Sequence, residues 1–452
     1  MPPRQPATIA LLVCRPVSCR RLNSPHTIAQ LESGLLRGIS RLDLSAGLTE
    51  FPRAVFNLAD SLEVLNLTGN RLSTLPDDLP RLRRLRIIFC SENQFTHLPE
   101  VLGQCPNLTM IGFKANQIRE LPRHSFPKHL RWLVLTDNQI SQIPAKLGRC
   151  TRLQKLMLSG NQLQSLPEEL ADCSALELLR VASNRLAELP SWLLQLPRLA
   201  WLAFSGNPVQ RSGAPTTPNV RAIPWEHLKV GDRLGEGASG IILSARWGEK
   251  PVAIKLFKGA MTSDGLPEHE LAACLTAGVH PHLIPLLGTL ENHPEGASGL
   301  VMDLLPQSCS ILAQPPSLDS CTRDIYAPSV RFSLAEVSQM ATKVASVCAH
   351  LHSNGVMHGD LYAHNLSRNA NGDCYLGDFG AASIFCNLDP VQAAGLQRLD
   401  VLAFGHLLGE LLDRTDGTDS AALRELETRC VSRDPFQRPT FDTIVRHLDC
   451  AR

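Results

Sequence analysis

No stretch of this 452-residue chain approaches the roughly 18 consecutive apolar residues that a membrane-spanning helix requires. The formal net charge is only +1, which gives no support for a nucleic-acid or acidic-surface partner. None of the fourteen cysteines falls into a paired metal-ligand spacing. The one apolar run near the N-terminus, Thr8 to Cys14, is short, follows several prolines and is closed by Arg15. A secretory leader wants a longer run and small residues at a cleavage site. Val13 is too large for a lipid-anchor reading of Cys14. Residues 1–26 are therefore expected to be a disordered extension. Reduced thiols without an export signal point to the cytoplasm. What remains is ordinary globular composition, 44% apolar and 19% charged, at a length that implies two or three domains.

The first half repeats itself. Asn recurs at 70, 93, 116, 138, 161, 184 and 207, in steps of 22 or 23 residues. The clearest copy reads Leu62, Leu65, Leu67, Asn70, Leu72, Leu75, Pro76, and another reads Leu153, Leu156, Leu158, Asn161, Leu163, Leu166, Pro167. An imperfect copy precedes them at Ile39, Leu42, Leu44, Leu48, Phe51 and Pro52. Each unit supplies one short strand whose leucine side cannot be buried alone, so neighbours must stack into a continuous core. The Asn side chain can then bond backbone groups in the turn of the adjacent coil. Cys105, Cys150 and Cys173 sit three residues before a core Leu and read as buried small apolar side chains. Over residues 27–212 the pattern resembles the leucine-rich repeat family, which implies an α/β solenoid with a polar-faced cap around Thr27–Arg37.

The side chains pointing away from that core form two columns. One is Val64, Ile87, Met110, Trp132, Lys155, Leu178 and Trp201; the other is Asn66, Phe89, Gly112, Val134, Met157, Arg180 and Ala203. So much apolar surface on a concave face marks a partner. An external protein partner or substrate on the Trp132, Met157 and Trp201 region is the favoured reading; cover by the chain's own second half is the alternative. The repeats end after Pro208, and residues 213–224 read as a linker.

The second half carries four pieces in order. They are Gly235-Glu236-Gly237-Ala238-Ser239-Gly240, then Val252-Ala253-Ile254-Lys255, then His358-Gly359-Asp360-Leu361-Tyr362-Ala363-His364-Asn365, then Asp378-Phe379-Gly380. Phosphoryl transfer needs a carboxylate near the accepting hydroxyl and oxygen ligands for Mg²⁺ on the nucleotide phosphates. Glycines let backbone N–H groups approach phosphates without a Cβ in the way. Each piece alone is weak, but together, over residues 225–448, they resemble the protein-kinase family.

The resemblance implies a two-lobed α+β domain using ATP and Mg²⁺. Asp360 would be the catalytic carboxylate and Lys255 the phosphate-positioning cation. Glu270 would be its partner, with Glu268 as the runner-up. Asn365 and Asp378 would be the metal ligands. Gly235, Glu236, Gly237, Gly240, Ile242, Ala253, Lys255, Met302, Asp303 and Leu305 would line the nucleotide site, with Met302 as the gatekeeper. Asp400 would brace the catalytic loop, and Arg433 to Phe441 matches the family's closing signature. The implied activity is protein phosphorylation, with Ser or Thr as the expected acceptor.

Three departures stand out. Gly359 replaces the usual Arg beside the catalytic Asp, and residues 384–399 hold no Ser, Thr or Tyr, so no activation-segment phosphorylation switch is expected. Tyr362 stands where kinases acting on Ser or Thr usually carry Lys; Arg368 and His364 are the nearby cations that could take its place. The Ala-Pro-Glu motif is absent, and residues 306–331 form an insertion with no evident role. A pseudokinase scaffold and a small-molecule phosphotransferase therefore stay open as alternatives.

Overall fold

The computed structural model describes residues 25–210, 220–237, 240–259, 261–416 and 420–450. The expected extension lies, up to residue 24, outside them. The described chain begins with a one-turn helix, α1 (Ile28–Glu32), closed by a capping box in which Thr27 Oγ1 accepts from Gln30 N and Gln30 Oε1 accepts from Thr27 N. Eight three-residue strands follow, one per repeat: β1 (Arg41–Asp43), β2 (Val64–Asn66), β3 (Ile87–Phe89), β4 (Met110–Gly112), β5 (Trp132–Val134), β6 (Lys155–Met157), β7 (Leu178–Arg180) and β8 (Trp201–Ala203). They pair in parallel, in sequence order, in one eight-stranded sheet.

The repeated Asn builds this stack. Asn138 Nδ2 donates to Phe113 O one coil back at 2.9 Å and to Leu135 O of its own coil at 3.0 Å, while its Oδ1 accepts from Ile118 N at 3.0 Å. Asn161, Asn184 and Asn207 repeat the same three bonds. Each side chain thereby satisfies buried backbone groups in two successive coils. The residue before each Asn is left-handed in all seven copies: Gly69, Gly160 and Gly206, but also Glu92, Ala115, Asp137 and Ser183, at φ between 52° and 75°. Cys105, Cys150 and Cys173 are buried and unbridged, as are the other described buried cysteines.

Residues 213–219 of the expected linker are not described, but its end is not a plain connector. Ala222–Pro224 forms a strand, β9, parallel to a later strand through Leu290. One buried side chain, Ile223, packs it against Leu290 and Val301, and three residues are too few to show a strand pattern in the sequence. Next come β10 (Leu228–Glu236), β11 (Gly240–Trp247), β12 (Lys250–Phe257), helix α2 (Pro267–Ala277), β13 (Leu286–Glu291) and β14 (Gly299–Asp303). With β9 they make a six-stranded sheet in the order β10-β11-β12-β14-β13-β9.

The helical lobe follows. It contains β15 (Ser310–Ile311), α3 (Leu334–Ser353), β16 (Val356–Met357), β17 (Leu366–Arg368), β18 (Cys374–Leu376), β19 (Ser383–Ile384), α4 (Pro390–Leu412), α5 (Ala421–Cys430) and α6 (Phe441–Cys450). Ser333 and Glu336 form a capping box at the start of α3, which buries Val337, Met340, Val344 and Leu351. No helix among the described residues is long and apolar enough to cross a membrane.

The two halves share their interiors. Leu178, Ala200 and Trp201 of the array belong to the cluster formed by Tyr362, Phe404 and the α3 leucines. In return Met357, Phe385, Leu396 and Leu399 join the leucine core of the array. The insertion lies against the concave face: Thr322 Oγ1 donates to Glu177, and the Arg323 guanidinium lies 5.2 Å from the Trp201 ring. This corrects the favoured reading of that face. At Trp201 the chain's own second half is the cover, and it packs against Met157, which stays partly exposed; toward the N-terminal rungs Val64, Phe89, Trp132 and Val134 are also partly exposed.

Candidate active site

Cross-strand register sets the nucleotide side of the cleft. Ile242 of β11 lies opposite Lys255 of β12, and Ala253 lies opposite Met302 of β14. Directly paired residues, and residues two apart on one strand, share a sheet face, so all four project together. Gly235 and Gly237 have open space where a Cβ would sit, as a backbone cradle for phosphates requires. Lys258 holds the loop from below, bonding Gly237 O at 2.9 Å and pairing with Glu236. Asp303 pairs with Lys250 at 2.5 Å, and its backbone N–H donates to Pro285 O at 3.0 Å.

Lys255 Nζ lies 2.5 Å from Glu270 Oε1 and 3.1 Å from Asp378 Oδ1. Both Lys255 and Glu270 have side chains only 6% exposed. Burial alone would lower the lysine pKa, but the Asp378 and Glu270 carboxylates outweigh it and hold the ammonium above its usual range. Asp378 is in turn held down at about 2: burial opposes its charge, but Lys255 and the Gly380 N–H overcome it. Glu268, the other acidic candidate, is exposed beside His269. Helix periodicity explains the choice, since Glu270 falls on the buried face with Ala273 and Ala277.

The opposite wall is the catalytic loop. Asp400 Oδ2 accepts from His358 N at 2.8 Å and Oδ1 from Gly359 N at 3.0 Å, which fixes the loop backbone. Asn365 Nδ2 donates to both Asp360 O and Asp360 Oδ2 at 2.8 Å. Its own backbone O accepts from Gly377 N at 3.0 Å, so Asn365 and Asp378 stand side by side. Asp378 itself is left-handed, φ 53°, a strained conformation of the kind held at functional sites. The hard oxygens suited to Mg²⁺ are Asn365 Oδ1 and the Asp378 carboxylate, whose side chain is 45% exposed toward the cleft. Among the described residues no three His, Cys, Asp or Glu side chains gather into a metal cage.

Neither cation expected to stand in for the missing lysine reaches Asp360. Arg368 pairs with Glu336 at 3.0 Å and covers the Phe332 ring. His364 is tied to Asp324 Oδ1 at 2.8 Å. The cation at Asp360 is instead Arg180 of β7, which pairs with Asp360 Oδ1 and donates to Gly359 O at 3.1 Å and Asp264 Oδ1 at 2.7 Å. Sequence reasoning placed Arg180 on the concave face but did not connect it to this site. The one available signal was a lone arginine between Met157 and Ala203 in a mostly apolar column.

Comparison with known proteins agrees with this architecture. The sequence model described as "Protein kinase domain" matches residues 228–396. The one described as "Leucine rich repeat" matches residues 60–118, 106–163, 128–186 and 151–209. The Dictyostelium discoideum protein named "Probable serine/threonine-protein kinase drkC" is 25% identical over 291 residues, covering 54% of this chain and 37% of that protein. "Probable serine/threonine-protein kinase gdt2" from the same organism is 23% identical over 273 residues, covering 50% and 16%. "Dual specificity protein kinase pyk3", also from that organism, is 21% identical over 268 residues, covering 51% and 19%. The chain thus spans well under half the length of these relatives.

Proposed function

We propose that this chain, in which leucine-rich repeats precede a protein kinase domain, transfers the γ-phosphoryl group of ATP to a Ser or Thr hydroxyl on protein. The observation that carries the reading is the closed set of charges across the cleft. Lys255 holds Glu270 and Asp378 on one wall, while Asp360 is fixed by Asn365 on the other. In this reading Lys255, kept charged and aimed by Glu270, positions the phosphates. Asp360 orients the acceptor hydroxyl and takes its proton. Asn365 and Asp378 hold Mg²⁺, which neutralises charge on the phosphates when bound. Gly235, Glu236, Gly237 and Gly240 cover the phosphates from above. Ile242, Ala253, Met302, Asp303 and Leu305 enclose the base. The unbridged cysteines support a cytoplasmic setting. A protein partner is proposed only for the open rungs around Phe89 and Trp132.

A second reading, a nucleotide-binding scaffold or a small-molecule phosphotransferase, draws on one observation. Strands β7 and β8 lie directly on the catalytic loop, where a protein acceptor has to approach. Incubation with γ-labelled ATP and Mg²⁺ separates the readings. Label on the chain or on a generic protein acceptor, lost in Asp360→Ala and Asp378→Ala, supports the kinase. ATP binding without label supports the second reading.

A further inference from the structure

Tyr362 occupies the position at which a lysine would neutralise the transferring group, and it cannot do so here. Its side chain is buried and stacks flat on Trp201, with ring centroids 4.2 Å apart and planes 8° apart. Lys155, the other buried cation of the concave face, has its Nζ 4.4 Å from the Trp132 ring centroid. Among the described residues Arg180 is the cation that forms an ion pair with Asp360, and its side chain is 2% exposed.

The environment of Arg180 is built around that task. Ala203 is its register partner on β8, and Ala182, Ala203 and Ala381 form a small-residue cluster beside it, leaving room for the long side chain. All three nitrogens of its guanidinium are engaged: Nη2 on Asp360, Nη1 on Gly359 O and Nε on Asp264. Asp264 is itself steadied by Ser263 Oγ at 2.8 Å and by the Thr262 turn at the entry to α2. A planar guanidinium gripped at three points has little freedom, and it remains charged at any accessible pH. The catalytic loop is shaped to accept this approach. At Gly359, φ 69°, a Cβ would lie 2.4 Å from Leu202 O and 2.9 Å from Ala381 O. The glycine that replaces the family's arginine is thus the residue that lets the repeat backbone touch the loop.

We propose that Arg180 is a positioning residue for phosphoryl transfer, supplied by the repeat array in place of the lysine missing at Tyr362. It fixes the Asp360 carboxylate in its working orientation and places positive charge beside the transferring group. This rests on the kinase reading above. In the step it serves, the acceptor oxygen bonds to the γ-phosphorus, the bond from that phosphorus to the β,γ-bridging oxygen breaks, ADP departs, and the hydroxyl proton passes to Asp360. Lys255, Glu270 and Asp378 are assembled in the same structure, so the array closes on a complete site rather than on a dismantled one.

The test compares wild type, Arg180→Ala and Arg180→Lys, reading kcat, KM for ATP, ATP affinity and response to free guanidinium. The expected result for Arg180→Ala is a fall in kcat of about 100-fold or more, the scale seen when one preorganised charge donor is removed. KM for ATP should stay within about threefold, and guanidinium should restore part of the rate in Arg180→Ala alone, which a merely structural role would not give. Arg180→Lys keeps charge but loses the fork, and should fall about tenfold. If Arg180→Ala does not fold, Arg180→Lys decides. A variant as fast as wild type, or faster because the arginine was masking Asp360, overturns the assignment. Wild type that binds ATP without transferring phosphate overturns the kinase reading itself, and this assignment with it.

Discussion

Trp201 Nε1 donates to Leu361 O at 3.2 Å, so the last repeat strand is hydrogen-bonded to the residue that follows Asp360. The same indole stacks on Tyr362 and lies 5.8 Å from His406, which makes it the point where array, catalytic loop and α4 meet.

Trp201→Ala removes that junction. The cavity and the lost stack should together cost about 3–5 kcal/mol. Thermal unfolding should change from one transition to two as the halves uncouple, and amide exchange around residues 360–365 should accelerate. A single transition at the wild-type midpoint would count against Trp201 as the junction.

Gly359→Ala adds one methyl group where the chain is left-handed and Leu202 O already stands in the way. The backbone strain is worth about 1–2 kcal/mol and the overpacking another 1–3 kcal/mol. The variant should lose stability by about that sum and lose phosphotransfer with it. The same change at Gly38, also left-handed but with nothing near its Cβ, should cost only the strain. Equal losses at the two positions, measured by urea titration, would show that the array does not constrain the loop.

Glu270→Ala leaves Lys255 buried with Asp378 as its one remaining carboxylate. Breaking a buried pair by removing one partner costs about 3–5 kcal/mol, and Asp378 should keep the loss near the lower value. Calorimetry should show weakened ATP binding. Glu268→Ala, exposed on the same helix, should leave both stability and binding unchanged.

The contribution of Glu410 to stability should fall as the pH rises from about 5 to above 7, against the opposite contribution of His406, which burial holds neutral with its pKa lowered to about 3. Burial, with the charge of Asp324, pushes the Glu410 carboxyl from the ordinary 4.5 up to about 7. The folded chain therefore keeps a proton there that the unfolded chain releases, and the advantage disappears as pH climbs through that window. His364 acts in the same direction. Burial opposes its charge, but the Asp324 hydrogen bond raises its pKa, so its contribution is present in acid and lost as pH passes the folded value. Between pH 5 and 8 the urea midpoint of Glu410→Gln should rise relative to that of wild type as the pH increases. An identical slope in the variant would falsify the assignment to Glu410.

The Asn ladder and the four kinase-like pieces were legible because each is a local pattern: fixed spacings dictated by one coil of solenoid or one loop over a phosphate. Glu270 was legible only through the family resemblance, which asks for an acidic partner to Lys255 on the next helix; its burial on one helix face came with the structure. Arg180 meeting Asp360 was not, because residues 180 positions apart are brought together only by how two folded units dock. The apolar concave columns showed a surface fit for cover but not whose: at Trp201 the alternative reading, cover by the chain's own second half, is the one found, since an apolar tryptophan looks the same whether its partner is another molecule or the same chain. The 306–331 insertion was opaque for a related reason: Thr322, Arg323 and Asp324 acquire meaning only against Glu177, Trp201 and His364.

The exchange of core residues between the halves bears on how the chain is made. A repeat array needs both ends closed, and the N-terminal end has α1 with Leu31 buried against the first coils. Its other end is closed by Phe385, Leu396 and Leu399, which are synthesised more than 170 residues after β8. Until they leave the ribosome, the last coil presents its leucine core to water. The array is thus translated first but completed last, and release from a chaperone that holds it should await the arrival of α4.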